Sequence, residues 1–115
     1  MGKVRFTVRL EIHEGKVDDF KRQSEQCMEV VHTRDTGTLQ YDIYLNDDES
    51  EAVVIERYRD SDALIEHLSN IGDELMAAMM STGTVEGETL GTPSPGLRAM
   101  LDGAPVRFFT SFRSM

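Results

Sequence analysis

The order of elements predicts an α+β fold of the ferredoxin-like kind, β-α-β-β-α-β, with an antiparallel sheet, two helices on one face and an extra C-terminal strand. Three observations predict it. Five segments have strand character, two segments between the first four repeat apolar residues at helical spacing, and a short acidic loop joins the second and third strands as a hairpin. Residues 3–12 form the first strand, with Val4, Phe6, Val8, Leu10 and Ile12 on one face and Arg5, Thr7, Arg9 and Glu11 on the other. From Lys16 the period becomes helical, and Val17, Phe20, Ser24, Cys27 and Val31 form one stripe that ends at Asp35-Thr36-Gly37. Leu39, Tyr41, Ile43 and Leu45 alternate with Gln40, Asp42 and Tyr44 in the second strand. Ala52 to Tyr58 resumes as the third after the loop Asn46 to Ser50.

Asp60 and Ser61 are N-cap candidates for a second helix carrying Leu64, His67, Leu68, Ile71 and Leu75. That helix is expected to break near Gly72 and resume through Met80. Residues 84–90 are a fourth strand of weaker pattern, and Pro93 and Pro95 mark the turn after it. Leu97 to Leu101 makes about one helical turn, and Val106 to Phe112 is a final strand with Phe108 and Phe112 on one side. One domain covers 1–115, with its core at about 3–90 and an extension at 91–115.

The 115 residues carry 12 Lys+Arg against 21 Asp+Glu, a formal charge of −9. This balance repels phosphate backbones and anionic lipid, so neither nucleic acid nor a membrane surface is an expected partner. No apolar run approaches the ~18 residues of a membrane span, and Met1 to Leu10 alternates where an export signal would be continuously apolar. The lone Cys27 has no disulfide partner within the chain, and a reducing, cytoplasmic location is expected. His13, His32 and His67 fall in different elements, no Gly-rich phosphate loop is present, and no metal is expected.

A single helical layer leaves the other sheet face bare. On that face the alternation puts Arg5, Thr7, Arg9, Gln40, Asp42 and Tyr44, joined by Val54, Glu56 and Tyr58 if Val53 and Ile55 point to the helices. Two arginines, two carboxylates and two phenols in near balance suit packing against a second sheet, with charges paired across strands. The expected partner is the chain itself, as a homodimer joined through Arg5, Arg9, Asp42, Tyr44 and Glu56; Phe108 and Phe112 would lie at the seam. Glu56 is expected to pair with Arg5 or Arg9.

The run Gly37-Thr38-Leu39-Gln40-Tyr41, the hairpin, and the run Val54 to Leu68 with Glu56-Arg57-Tyr58, an acidic turn and His67 resemble the antibiotic biosynthesis monooxygenase domain family. The resemblance covers about residues 3–90. It implies a dimeric α+β barrel and, for some members, cofactor-free oxidation of polycyclic phenols to quinones. Haem-degrading members place a Trp near position 67 and a ligating His about ten residues on; here His67 and Ala77 stand there, and no cofactor is implied. The Trp that phenol oxidisers often carry is replaced by Tyr58.

Such an oxidation needs an apolar pocket, a base and donors that stabilise an anion. His67, on the apolar stripe of the second helix, is the candidate acid–base group; its plainer role is a helix-edge histidine bonded to solvent or a carbonyl. Tyr41 and Tyr58 are candidates to orient a small apolar or aromatic ligand. Met76, in the cluster Leu75, Met76, Met79 and Met80, is a candidate for an adaptable wall. Two functions follow: a monooxygenase acting on a small aromatic or polyketide-like compound, or a non-catalytic dimeric module that binds a metabolite or stabilises an assembly.

Overall fold

The computed structural model describes residues 2–115. In chain order the elements are β1 (Val4–Ile12), α1 (Val17–Arg34), β2 (Thr38–Leu45), β3 (Glu51–Tyr58), α2 (Ser61–Met80), β4 (Gly83–Leu90), α3 (Pro95–Met100) and β5 (Val106–Phe109). The five strands form one open sheet in the order β2-β3-β1-β4-β5. The first four pair antiparallel, and β5 joins the edge parallel to β4. This is the ferredoxin-like α+β arrangement, with the extra strand added to the chain's own sheet.

Register decides which face each strand residue occupies. Val4, Phe6 and Val8 of β1 stand opposite Tyr58, Glu56 and Val54 of β3. Directly opposed residues share a face, so Val54, Glu56 and Tyr58 turn toward the helices and are buried. The open face therefore takes Val53, Ile55 and Arg57, the reverse of the phase read from the sequence. Three consecutive apolar residues, Val53-Val54-Ile55, give no alternation from which to choose. Glu56 thus leaves the expected interface and makes no pair with Arg5 or Arg9; Arg9 pairs with Glu51 at 3.4 Å instead. Leu39 departs as well, because the β2–β3 register shifts between Thr38 and Gln40 and leaves it exposed.

The core has two parts. Val4, Phe6, Tyr58, Leu64, Leu97 and Leu101 pack at one end, and Leu10, Phe20 and Ala52 at the other. The C-terminal extension closes the first part: Leu97 is fully buried, and Val106 and Phe108 pack against it. Both are partly buried there, and β5 pairs with β4 of the same chain. The last strand also stops at Phe109, short of the expected Phe112, which is 92% exposed.

Two glycines set the geometry around the second helix. A Cβ on Gly37 would lie 2.5 Å from that of Ala63, and the Gly37 carbonyl accepts from the Arg59 amide at 2.9 Å. Only glycine lets the α1–β2 connection approach the start of α2 so closely. Gly72, at φ +78°, interrupts α2 as the sequence indicated, and its left-handed backbone redirects the second half of the helix. Upstream, the Asp60 carboxylate caps α2 by accepting from the Ala63 amide at 2.9 Å.

Candidate active site

A cavity of about 320 Å³ lies between the sheet and the helices. Its sheet side is built from Phe6, Val8, Leu10, Val54 and Val85, and α2 supplies Leu68, Ile71, Met76 and Met79. The extension contributes Met100, Leu101, Ala104, Pro105 and Val106 as a third wall. Tyr41, Glu56 and His67 converge at one end of this apolar space, and Asp73 of α2 also contributes to its lining. Of the sequence-predicted residues, His67, Tyr41 and Met76 line the cavity. Tyr58 does not; it is fully buried behind Glu56, to which its hydroxyl donates a hydrogen bond.

His67 is held from behind. Its Nδ1 lies 2.7 Å from the Asp35 carboxylate, and both side chains are almost fully buried. Asp35 also accepts from Asn70 Nδ2 at 2.9 Å and from the Thr38 hydroxyl at 2.7 Å. Desolvation pushes the Asp35 carboxyl upward, but the hydrogen bonds from Asn70, Thr38 and His67 together outweigh it and hold the carboxyl below its ordinary value. The ionised carboxylate fixes the imidazole proton on Nδ1 and leaves the Nε2 lone pair free. Burial lowers the His67 pKa despite the opposing charge of Asp35, so the ring is a neutral base near pH 7.

Nε2 faces Glu56, 4.0 Å from Oε1, and the rings of Tyr41 and Tyr58 flank the imidazole with centroids 5.3 and 5.4 Å away. Glu56 is 5% exposed, and among the described residues no Lys or Arg is paired with it. Desolvation drives its carboxyl up to about 8, against the lowering effect of the Tyr58 hydroxyl and with further upward pressure from the Asp35 charge. It is therefore a neutral acid at pH 7. Burial also raises the Tyr41 hydroxyl, and it raises the Cys27 thiol to about 11, so neither ionises near neutrality. Cys27 is a small buried group in the cavity wall and not a nucleophile.

Asp35, Asn70, Thr38 and the acid role of Glu56 are absent from the sequence reading. Asp35 reads there as the end of a helix, and it reaches His67 only when a loop packs on α2 32 residues further along the chain. No local motif marks such a pair. Among the described residues, no group of three metal-ligating side chains converges.

Fold and site together define a small α+β protein with an acid–base cavity between one sheet and its helical layer. The chain belongs to the antibiotic biosynthesis monooxygenase family, whose model matches residues 4–79. No curated protein matches the sequence. Among solved structures, MupZ from Pseudomonas fluorescens is 23% identical, with a TM-score of 0.85 over 100% of this chain and 94% of that one. SnoaB from Streptomyces nogalater, a cofactor-independent oxygenase, is 17% identical, with a TM-score of 0.66 over 82% of this chain and 96% of its own. Rv0793 from Mycobacterium tuberculosis is 22% identical, with a TM-score of 0.67 over 81% of this chain and 97% of its own. At these identities the likeness is one of fold. The match to MupZ spans the whole chain, C-terminal extension included.

Proposed function

We propose that the protein is a cofactor-independent monooxygenase acting on a small aromatic or polyketide-like compound, with His67 as its base. The observation that carries this reading is the Asp35–His67 pair presenting a free Nε2 to an apolar cavity of about 320 Å³. A molecule of two or three fused rings fits a space of that size. Nε2 removes a proton from an electron-rich substrate such as a phenol with an acidic ring CH₂. The carbanion gives one electron to dioxygen, the radical pair combines, and the imidazolium protonates the new hydroperoxide. Loss of water then leaves a carbonyl. One oxygen atom enters the product, the other leaves as water, and all four electrons come from the substrate. Family membership and the fold shared with SnoaB support this class of reaction.

The proposal includes a second copy of the chain on the open sheet face. Val53 and Ile55 lie at its centre among Arg5, Arg9, Asp42 and Tyr44, and the Arg57 Nε there is shielded from solvent without a hydrogen-bond partner. A facing sheet would cover the apolar centre and offer that donor an acceptor.

Oxygen consumption with a panel of polycyclic phenols tests the catalytic reading. Uptake that falls about 10²–10⁴-fold in His67→Ala is the expected outcome, the range of a lost general base. Ligands that bind and are recovered unchanged, with no oxygen uptake, would instead identify a non-catalytic binding module.

A further inference from the structure

Among the described residues the cavity wall contains no Lys or Arg, so an anion formed inside meets no permanent cation there. What faces the base is a carboxylic acid. Glu56 Oε1 accepts the Tyr58 hydroxyl and lies 4.0 Å from His67 Nε2, too far for a direct hydrogen bond between them. Both side chains line the same cavity, so a ligand seated beside them can touch both. With Oε1 occupied by Tyr58, the acidic proton belongs on Oε2.

We propose that this pair makes the protein an oxygen-independent enolisation catalyst for neutral, apolar ketones, with Glu56 as general acid and His67 as general base. The inference rests on the reading of His67 as the base and adds a substrate class and a second activity. His67 Nε2 removes a proton from the carbon next to the carbonyl, and the C–H electron pair becomes the C=C bond. The carbonyl π pair moves to oxygen, which takes the Glu56 proton. The products are a neutral enol, an imidazolium and a carboxylate, so atoms and charge balance and no oxidant is required. Reversal returns both protons.

The surroundings match this assignment. The titratable groups facing Glu56 are Tyr58 on its own strand, Tyr41 from β2, Cys27 from α1, His67 from α2 and Asp35 behind the imidazole. None is a permanent cation, and burial keeps the carboxyl protonated at the pH where His67 is neutral. A buried neutral acid opposite a neutral base is what concerted proton transfer at a carbonyl requires, since neither group must first change charge. Anionic ligands are disfavoured by the same surroundings, because a carboxylate or phosphate placed here would meet Glu56 and the Asp35 charge without a counter-ion.

The test is hydrogen–deuterium exchange at the α-carbons of 2-tetralone in D₂O under nitrogen, followed by NMR. The wild-type protein should accelerate exchange over buffer by about 100-fold or more, and both Glu56→Gln and His67→Ala should remove most of that gain. Glu56→Gln replaces a neutral acid with a neutral amide of the same shape. Met76→Trp narrows the cavity without touching acid or base and should suppress exchange as well, which places the reaction in the cavity, and the thermal melt of Glu56→Gln shows whether that variant is folded. Exchange at the buffer rate, or acceleration that survives either Glu56→Gln or His67→Ala, would overturn the proposal. Exchange under nitrogen with no oxygen uptake in air keeps this activity and removes the oxygenase reading. Oxygen uptake with no exchange does the opposite.

Discussion

Glu56 is an acid because its surroundings refuse it a charge. It is buried, has no cation beside it, and shares its end of the cavity with the Asp35 carboxylate. Its carboxyl rises from 4.5 to about 8, so between these values the folded chain holds a proton that the unfolded chain has released. The Glu56 contribution to stability therefore falls as pH rises through that window, because the folded state binds the extra proton, while the lowered His67 pKa acts in the opposite sense below 6.5. Thermal melts from pH 6.5 to 8.5, above the window in which His67 titrates, should show this decline, and Glu56→Gln, which cannot ionise, should flatten it. At Asp35 the expectation concerns tautomer. Asp35→Asn removes the negative charge that holds the proton on Nδ1, and turnover or exchange should drop about 10²-fold or more, with the pH dependence displaced. His67, Tyr41 and Met76 were legible as cavity residues because each sits on an apolar stripe whose period the sequence displays. Glu56 reads in the sequence as an ion-pairing residue of the open face, partner to Arg5 or Arg9, since Val53-Val54-Ile55 hides the strand's phase. Asp35 was not legible at all, because its partners Asn70 and His67 come from a helix more than thirty residues away.

Among elements, α2 and the connections around it place the chemistry. Gly37 lets Asp35 reach His67, so Gly37→Ala forces its new methyl against Ala63 and should cost about 1–3 kcal/mol in denaturant titrations, with a larger loss of activity. The C-terminal extension is the cavity's third wall and part of the core. Leu97→Ala should cost about 2–5 kcal/mol, the range for a fully buried leucine. Removal of 111–115 should leave the melting temperature unchanged, since Phe112 is exposed and the last strand ends at Phe109. Every strand and both long helices were readable from periodicity, as was the break at Gly72. The pairing of β5 was not. Parallel addition through the short α3 depends on where Leu97 and Phe108 find burial, and that is a property of the assembled core.

At the scale of the whole molecule, one helical layer on a five-stranded sheet leaves Val53 and Ile55 at the centre of the other face. Covering that face with a second copy predicts a species of twice 13.0 kDa in sedimentation at micromolar concentration. Ile55→Lys should convert it to monomer without unfolding it, because the new charge has no partner in a facing sheet. A wild-type monomer would remove the proposed dimer while leaving the cavity intact, since the described cavity is built within one chain. The acid–base pair is the claim on which the chemistry stands, and a ¹³C NMR titration of the Glu56 carboxyl carbon reports it most directly. A midpoint near pH 8 agrees with a buried neutral acid facing His67; a midpoint near 4.5, the value of an ordinary glutamate, contradicts it.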